Sequence, residues 1–383
     1  MKKVRVGVVG TGGMGQGHCR ALQELEESKL TAVCDIDPNT LKEVSKRHKV
    51  PGFDNYKKLI DSGLCDAIVI GTPHYPHPLI GKYAFQKGLH VLSEKPIAVT
   101  VKAGDEFIAA ARKAEKKGLK FQVMFQMRSD PVNRKAKSLV EQGVLGEIYR
   151  TELVMGWYRS QAYYDSGTWR ATWKGEGAGV LINQAPHHFD LFTWIGGLPS
   201  RVMAITKTSK HNIEVEDEAS ALIEYPNGAT GFVHCSTNEF PGTDTVLFCG
   251  DKGKLDLSRG KLQLWEIDPP IMQFTRGSTN MWGGPKAKKK RVRLQDRERG
   301  HRAILKNFCR AILHDEPLLS PGVDTIGGLE LANAILLSGH KGGKPVKVPV
   351  DRQAVEDLLA HLRKQSKKKS SVRIQRVTDP AHA

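Results

Sequence analysis

The stretch VVGTGGMG, residues 8–15, sets the reading of the N-terminal half. It closes a run of alternating valines, Val4, Val6 and Val8, and opens a segment, Met14 to Glu27, whose apolar positions recur at helical spacing. Gly10, Gly12 and Gly15 give the spacing GxGxxG at a strand-to-helix turn. Gly10 permits the tight turn, Gly12 lets the backbone approach a pyrophosphate, and Gly15 allows close helix–strand packing, while the helix start offers unpaired N–H groups to the anion. Thr11, Gly13 and Met14 complete the loop and are expected to share in the contact. About twenty residues further on, Asp35 ends the second strand, where a carboxylate accepts from the adenosine ribose hydroxyls and repels a 2′-phosphate. NAD is therefore the expected cofactor; NADP is not excluded, because Lys42 and Arg47 lie close in sequence. Asp37, before Pro38 and Asn39, fits a helix cap better than Asp35 does.

Outward from this loop, short β-branched runs alternate with helical patterns, as in βαβ units around a parallel sheet. Strands are expected at Val4–Val9, Leu30–Cys34, Ala67–Ile70, His90–Ser93 and Lys120–Phe125. Helices fit between them at Met14–Glu27, Pro38–His48, Tyr56–Ser62, Pro76–Lys87 and Val101–Lys117. After about Arg128 the rhythm changes. A helix (Pro131–Gln142), a strand (Glu147–Met155) and a helix from about Pro186 lead into strands at Arg201–Thr206, Ala219–Tyr225, Thr230–Thr237, Asp244–Gly250 and Lys254–Ser258. Successive strands of this kind suggest an antiparallel sheet in an α+β domain. Helices at His301–Leu313 and Thr325–His340 are expected to pack on it or to brace the first domain.

A chain of 383 residues suits two domains and a short tail. Hydrophobic residues make up 39% and charged residues 26% of it, as in water-soluble globular proteins, and no apolar run approaches the ~18 residues of a membrane span. The first ten residues contain no secretory leader pattern, so a cytoplasmic address is expected. Cys19, Cys34, Cys65, Cys235, Cys249 and Cys309 lack metal-ligand spacing and are read as reduced, mostly buried thiols; no metal site is expected. The net charge of +17 comes partly from Lys286–Arg293 and from Lys364–Arg376. With no accompanying nucleic-acid-binding motif, these runs are read as a solvated basic face and a frayed tail, not as a nucleic-acid or membrane site.

Thr72, Pro73 and His77 follow the strand at 67–70, and Glu94, Lys95 and Pro96 follow that at 90–93. Both groups therefore lie at the carboxyl edge of the sheet, where ligands bind in open α/β folds, and are expected at the cofactor. A lysine there can donate to a substrate oxygen and stabilise a developing alkoxide.

The combination of VVGTGGMG, Asp35, TPHYPH at 72–77, SEKP at 93–96 and WRATWKGEGAGVLINQAPHHFD at 169–190 resembles the Gfo/Idh/MocA oxidoreductases, over about Val4 to Val350. The resemblance implies a fold of class α/β: an N-terminal Rossmann dinucleotide-binding domain (1–128), then an α+β domain with an open, mainly antiparallel sheet serving substrate and oligomerisation (129–350), then a basic C-terminal helix and tail (351–383). Through that sheet it implies a homodimer or homotetramer. It makes Lys95 the lysine that hydrogen-bonds the reacting hydroxyl and His187 the acid/base, a neutral imidazole with an ordinary pKa of about 6.5. The family pattern often has an aspartate where this chain has Asn183; an amide cannot ionise, so Asn183 is read as orienting substrate or Lys95. Trp169 and Arg170 match a pair that reaches the cofactor, although Trp169 could equally be interface core. Gln126 and Arg128 match a pattern near nicotinamide and substrate.

Tyr163 and Tyr164 could stack on a sugar ring or donate to its hydroxyls. His188 is read as a surface or packing residue, and Asp190 as orienting His187 or bonding backbone. The implied activity is hydride transfer between NAD and a secondary hydroxyl or keto group of a sugar, sugar derivative or cyclitol. Two alternatives share the fold: a glycosidase working through transient oxidation by NAD, and a non-catalytic cofactor-sensing regulator.

Overall fold

The computed structural model describes residues 2–295, 297–367 and 369. The valine run forms β1 (Val4–Val9), buried at every position but Arg5 because helices cover both faces of the sheet it joins. That sheet continues through β2 (Ser28–Cys34), β3 (Gly52–Phe53), β4 (Ala67–Ile70), β5 (His90–Ser93) and β6 (Phe121–Val123), all parallel. Their spatial order is β3-β2-β1-β4-β5-β6, so the direction of winding reverses between β1 and β4. Between the strands run α1 (Gly13–Glu24), α2 (Pro38–His48), α3 (Tyr56–Asp61), α4 (Pro76–Gln86) and α5 (Val101–Glu115). Asp37, Asn55 and Thr100 cap α2, α3 and α5 by accepting from backbone N–H groups of the first turn. The two-residue β3 is too short to leave a periodic signal.

The second domain opens with α6 (Pro131–Glu141), β7 (Ile148–Tyr158), α7 (Gln161–Asp165) and α8 (Pro186–Gly196). Strands β8 (Arg201–Lys207), β9 (Glu218–Glu224), β10 (Thr230–Ser236), β11 (Asn238–Gly250), β12 (Gly253–Ser258) and β13 (Lys261–Asp268) follow. Then come α9 (Ile271–Gly277), β14 (Lys286–Lys290), α10 (Gly300–His314), α11 (Ile326–His340), β15 (Val346–Lys347) and α12 (Arg352–Gln365). The nine strands pair in the order β14-β13-β12-β11-β7-β10-β9-β8-β15; β7 and β10 are parallel and the other described pairs antiparallel. One face carries α8 and α11, with Phe192 stacked on Phe248. The other leaves Leu222, Phe232 and Ile205 exposed.

Lys286–Lys290, expected as a solvated basic face, is the edge strand β14, paired with β13; lysine is depleted in strands generally but serves on edges, so composition hides it. The helix α10 takes one of its two expected placements, bracing the first domain: Ile304, Leu305, Phe308 and Cys309 pack with Val4, Val6, Val8 and Leu22 in that domain's core. All six cysteines are free and buried. The basic run 364–376 lies, from 370 on, outside the described residues. No helix among the described residues is long and apolar enough to cross a membrane.

Candidate active site

The loops after β1, β4 and β5 meet at the carboxyl edge of the parallel sheet, beside the winding reversal. Gly10 sits at φ +88°, a conformation side chains disfavour, and a Cβ on Gly15 would lie 1.9 Å from the Gly10 carbonyl oxygen. A Cβ on Gly12, by contrast, would meet nothing within 4 Å, so this side of the loop is open to a ligand. Helix α1 starts there with no side-chain cap and no acidic residue in its first turn, leaving its N–H groups for an anion. Asp35 closes the far side, accepting from Thr11 N (2.7 Å) and Thr11 Oγ1 (3.0 Å) through Oδ2 and from Asp37 N (3.0 Å) through Oδ1. An open glycine turn, free helix N–H groups and a carboxylate at the β2 terminus fit NAD.

The β5 loop is fixed from two sides. Glu94 pairs with His18 of α1 (2.7 Å), locking the glycine-loop helix to the residue before Lys95. Burial alone would raise the Glu94 carboxyl; the hydrogen bond and charge of His18, with His301 and Lys95, overcome it and bring it down to about 2. His77 bridges loops, its Nδ1 2.9 Å from Pro96 O and its Nε2 2.9 Å from Thr72 O. Lys95 then reaches across to the second domain, where its Nζ donates to the Asn183 carbonyl oxygen at 2.7 Å. Burial lowers its pKa, Arg170 and Arg159 adding to the effect while Glu94 and Glu176 oppose it.

That carbonyl belongs to a widened helical turn, Val180–Gln184, closed by Ala185 N donating to Val180 O five residues back (2.8 Å) and wholly buried. Glu216, from the loop before β9, holds the turn by accepting from Gly179 N and Leu181 N. His187 follows one turn later, edge-on to Phe125 (5.8 Å) and with Nε2 3.3 Å from Gln126 Nε2. Its Nδ1, Gln126 Oε1 and Gln184 Oε1 are buried and make no hydrogen bond among the described residues. Arg170 lies over the Tyr163 and Trp169 rings and donates to Tyr163 Oη (2.8 Å); Trp169 packs edge-on against His74 of the first domain (5.6 Å).

Comparison with known proteins bears on this arrangement. Residues 4–124 match the family profile of oxidoreductases with an NAD-binding Rossmann fold, and residues 133–256 that of the GFO/IDH/MocA C-terminal domain. The chain belongs to the Gfo/Idh/MocA oxidoreductase family. Among Gfo/Idh/MocA relatives, levoglucosan dehydrogenase of Pseudarthrobacter phenanthrenivorans is 26% identical over 285 residues, 65% of this chain and 71% of that one. Inositol 2-dehydrogenase of Rubrobacter xylanophilus is 30% identical over 194 residues, 50% of this chain and 52% of that one. The WlbA dehydrogenase of Bordetella pertussis, solved with NADH and UDP-GlcNAcA, superposes with a TM-score of 0.76 at 26% identity, covering 91% of this chain and all (100%) of the other. The protein is thus an NAD-binding dehydrogenase or reductase of a family that acts on sugars and cyclitols.

Not every residue expected at the Gfo/Idh/MocA site faces it. Arg128, expected at substrate, is buried in a two-pronged ion pair with Asp190 (2.6 and 2.7 Å); Asp190 thereby neither orients His187 nor bonds backbone. Tyr164 is fully buried with its hydroxyl on Thr237 (2.8 Å), so only Tyr163 of the pair is left for a sugar. His77 spends both ring nitrogens on backbone carbonyls, Thr11 both donors on Asp35, and Glu94 its carboxylate on His18; they shape the cofactor loops rather than line them. Thr72 turns its hydroxyl to Pro73 O, while Pro73, Gly12, Gly13 and Met14 are exposed. His188 is a packing residue, edge-on to Trp157 and bonded to Asp244. His187 does not keep an ordinary pKa: burial and then Lys95 push it well below 6.5, so it is neutral. Two site residues escaped the sequence reading, His74 and Glu176. The signal for the second was an acidic residue between glycines at the start of an apolar run, GEGAGVL.

Proposed function

We propose that the protein catalyses hydride transfer between NAD and a secondary hydroxyl or keto group of a sugar or cyclitol. One observation carries the reading: Lys95 of the first lobe is bonded to Asn183 O, one helical turn before His187 of the second, at the edge where the glycine loop opens. When bound, the nicotinamide supplies the hydride acceptor or donor. In the oxidation direction the Lys95 ammonium donates to the substrate hydroxyl oxygen and stabilises charge as it develops there, and neutral His187 takes the hydroxyl proton. Gln126 lies beside the imidazole edge, and the Tyr163 hydroxyl, which accepts from Arg170, offers a polar contact to a ring hydroxyl.

The names of the relatives, levoglucosan and inositol dehydrogenases among them, support a cyclic polyol as substrate. The exposed row of Leu222 and Phe232, directly opposed across β9 and β10, supports association of that sheet face with a second copy of the chain. The deciding experiment incubates the purified protein with NAD and a panel of neutral sugars, cyclitols, sugar acids and sugar phosphates while NADH absorbance is followed. At least one polyol is expected to yield stoichiometric NADH. Oxidation of none, or glycoside cleavage without net NADH, would reject the dehydrogenase reading.

A further inference from the structure

Glu176 lies in the loop between α7 and the widened turn, fully buried, and has no role in the reaction set out above. Its Oε2 accepts from Ala171 N at 2.7 Å; its Oε1 accepts from Asn183 Nδ2; its backbone carbonyl sits 2.8 Å from His74 Nδ1. A carboxylate can only accept, so it dictates which end of the Asn183 amide turns inward. Nδ2 faces Glu176, and Asn183 Oδ1 makes no hydrogen bond among the described residues. Through the same residue the chain reaches Lys95, whose Nζ is on Asn183 O.

We propose that Glu176 is a positioning residue of the reaction: its carboxylate fixes Asn183 with the amide oxygen free to accept from a substrate hydroxyl, and it acts as a counter-charge to Lys95. This rests on the dehydrogenase reading only for the substrate hydroxyl. Two carboxylates act on Lys95, Glu94 more strongly than Glu176, but they behave differently with pH. Glu94, held down at about 2, is ionised throughout the working range. Burial pushes Glu176 up to about 7 against the pull of Arg170, the Ala171 N–H, Asn183 and Lys95, so its charge changes where the enzyme operates. The other ionisable groups within its field are Glu216, Tyr164 and Lys369, with His74 bonded to its carbonyl. Once protonated, Glu176 can donate to Asn183 Oδ1 instead; the amide then turns over and presents a donor where the ionised form leaves an acceptor.

The test is a titration of Lys95 in the full chain carrying [13Cε]-lysine, its signal assigned by loss in Lys95→Met. In Glu176→Gln the Lys95 pKa should fall by about one unit, the size of one neighbouring charge, and Glu176→Asp should restore part of it. An unchanged Lys95 titration in Glu176→Gln overturns the proposal. Should Glu176→Gln not fold, Lys95→Met supplies the reciprocal measurement: the Glu176 carboxyl, followed by [13Cδ]-glutamate, must rise by a similar amount, and no rise is equally fatal. With any sugar the parent oxidises, kcat/KM should fall as pH drops through about 7 and lose that fall in Glu176→Gln; a fall that persists rejects the role. The titrations need no turnover. A chain that oxidises no sugar would therefore fail the dehydrogenase reading while leaving the Glu176–Lys95 coupling independently decided.

Discussion

Lys95 and Arg128 were both expected to touch substrate, yet their surroundings give them opposite fates. The Lys95 ammonium has one hydrogen bond, to a carbonyl, and no carboxylate within salt-bridge reach among the described residues, so two of its protons remain for another acceptor. Lys95→Ala is expected to lower turnover by about 10²–10⁴-fold, since it deletes a donor to the reacting oxygen, while NADH affinity measured by fluorescence titration stays close to that of the parent. The Arg128 guanidinium instead spends Nε and Nη2 on Asp190 and the Asp324 carbonyl, with Trp194 under its plane. Replacing it by Met strands a buried carboxylate and should destabilise the fold by about 3–5 kcal/mol in denaturant titration. Sequence could not separate the two. The partners of Arg128 lie 62 and 196 residues away, and only the packed fold brings them within reach.

At the scale of elements, the glycine turn and the widened turn at 180–184 are the two pieces of backbone on which the site hangs. The first was legible because its chemistry is local: a strand, a positive φ and a helix start fit within eight residues. It makes a paired prediction. Gly12→Ala should fold with an unchanged melting temperature, its Cβ pointing into open space, but bind NADH more weakly if, as we propose, that space takes the pyrophosphate. Gly15→Ala forces α1 from the Gly10 carbonyl and should itself cost about 1–3 kcal/mol. The second turn reads, by sequence, only as part of the irregular stretch before the helix expected from about Pro186, because its anchor, Glu216, arrives from a distant loop. Burial raises the Glu216 carboxyl to about 7, from 4.5. A folded-state pKa above the unfolded one favours the native state at acid pH, and this contribution, on the order of 3 kcal/mol, fades as pH rises from 4.5 through about 7. Glu216→Gln should therefore lose less thermal stability between pH 5 and pH 8 than the parent, by calorimetry; equal losses would show that Glu216 does not titrate there.

For the whole molecule, both lobes share more than a hinge. The helix α11 is buried on all sides and touches α8, β8 and α5, and α10 returns to the first core, so separating the domains would expose much buried surface. The open sheet face is the surface we propose for a second copy of the chain. Leu222→Lys combined with Phe232→Lys should shift the sedimentation profile towards monomer without altering the circular dichroism spectrum; an unchanged profile would place the partner surface elsewhere. A nine-stranded sheet also has two ends, and bare strand ends recruit strands from other molecules. One end is the two-residue β15, too brief to template anything. The other is β14, where Lys286, Lys288, Lys289 and Lys290 line an unsatisfied ladder; a neighbour adding there in register would set ammonium against ammonium. Like charges along an outermost strand disfavour such addition, so the largest sheet is poorly suited to propagate from chain to chain.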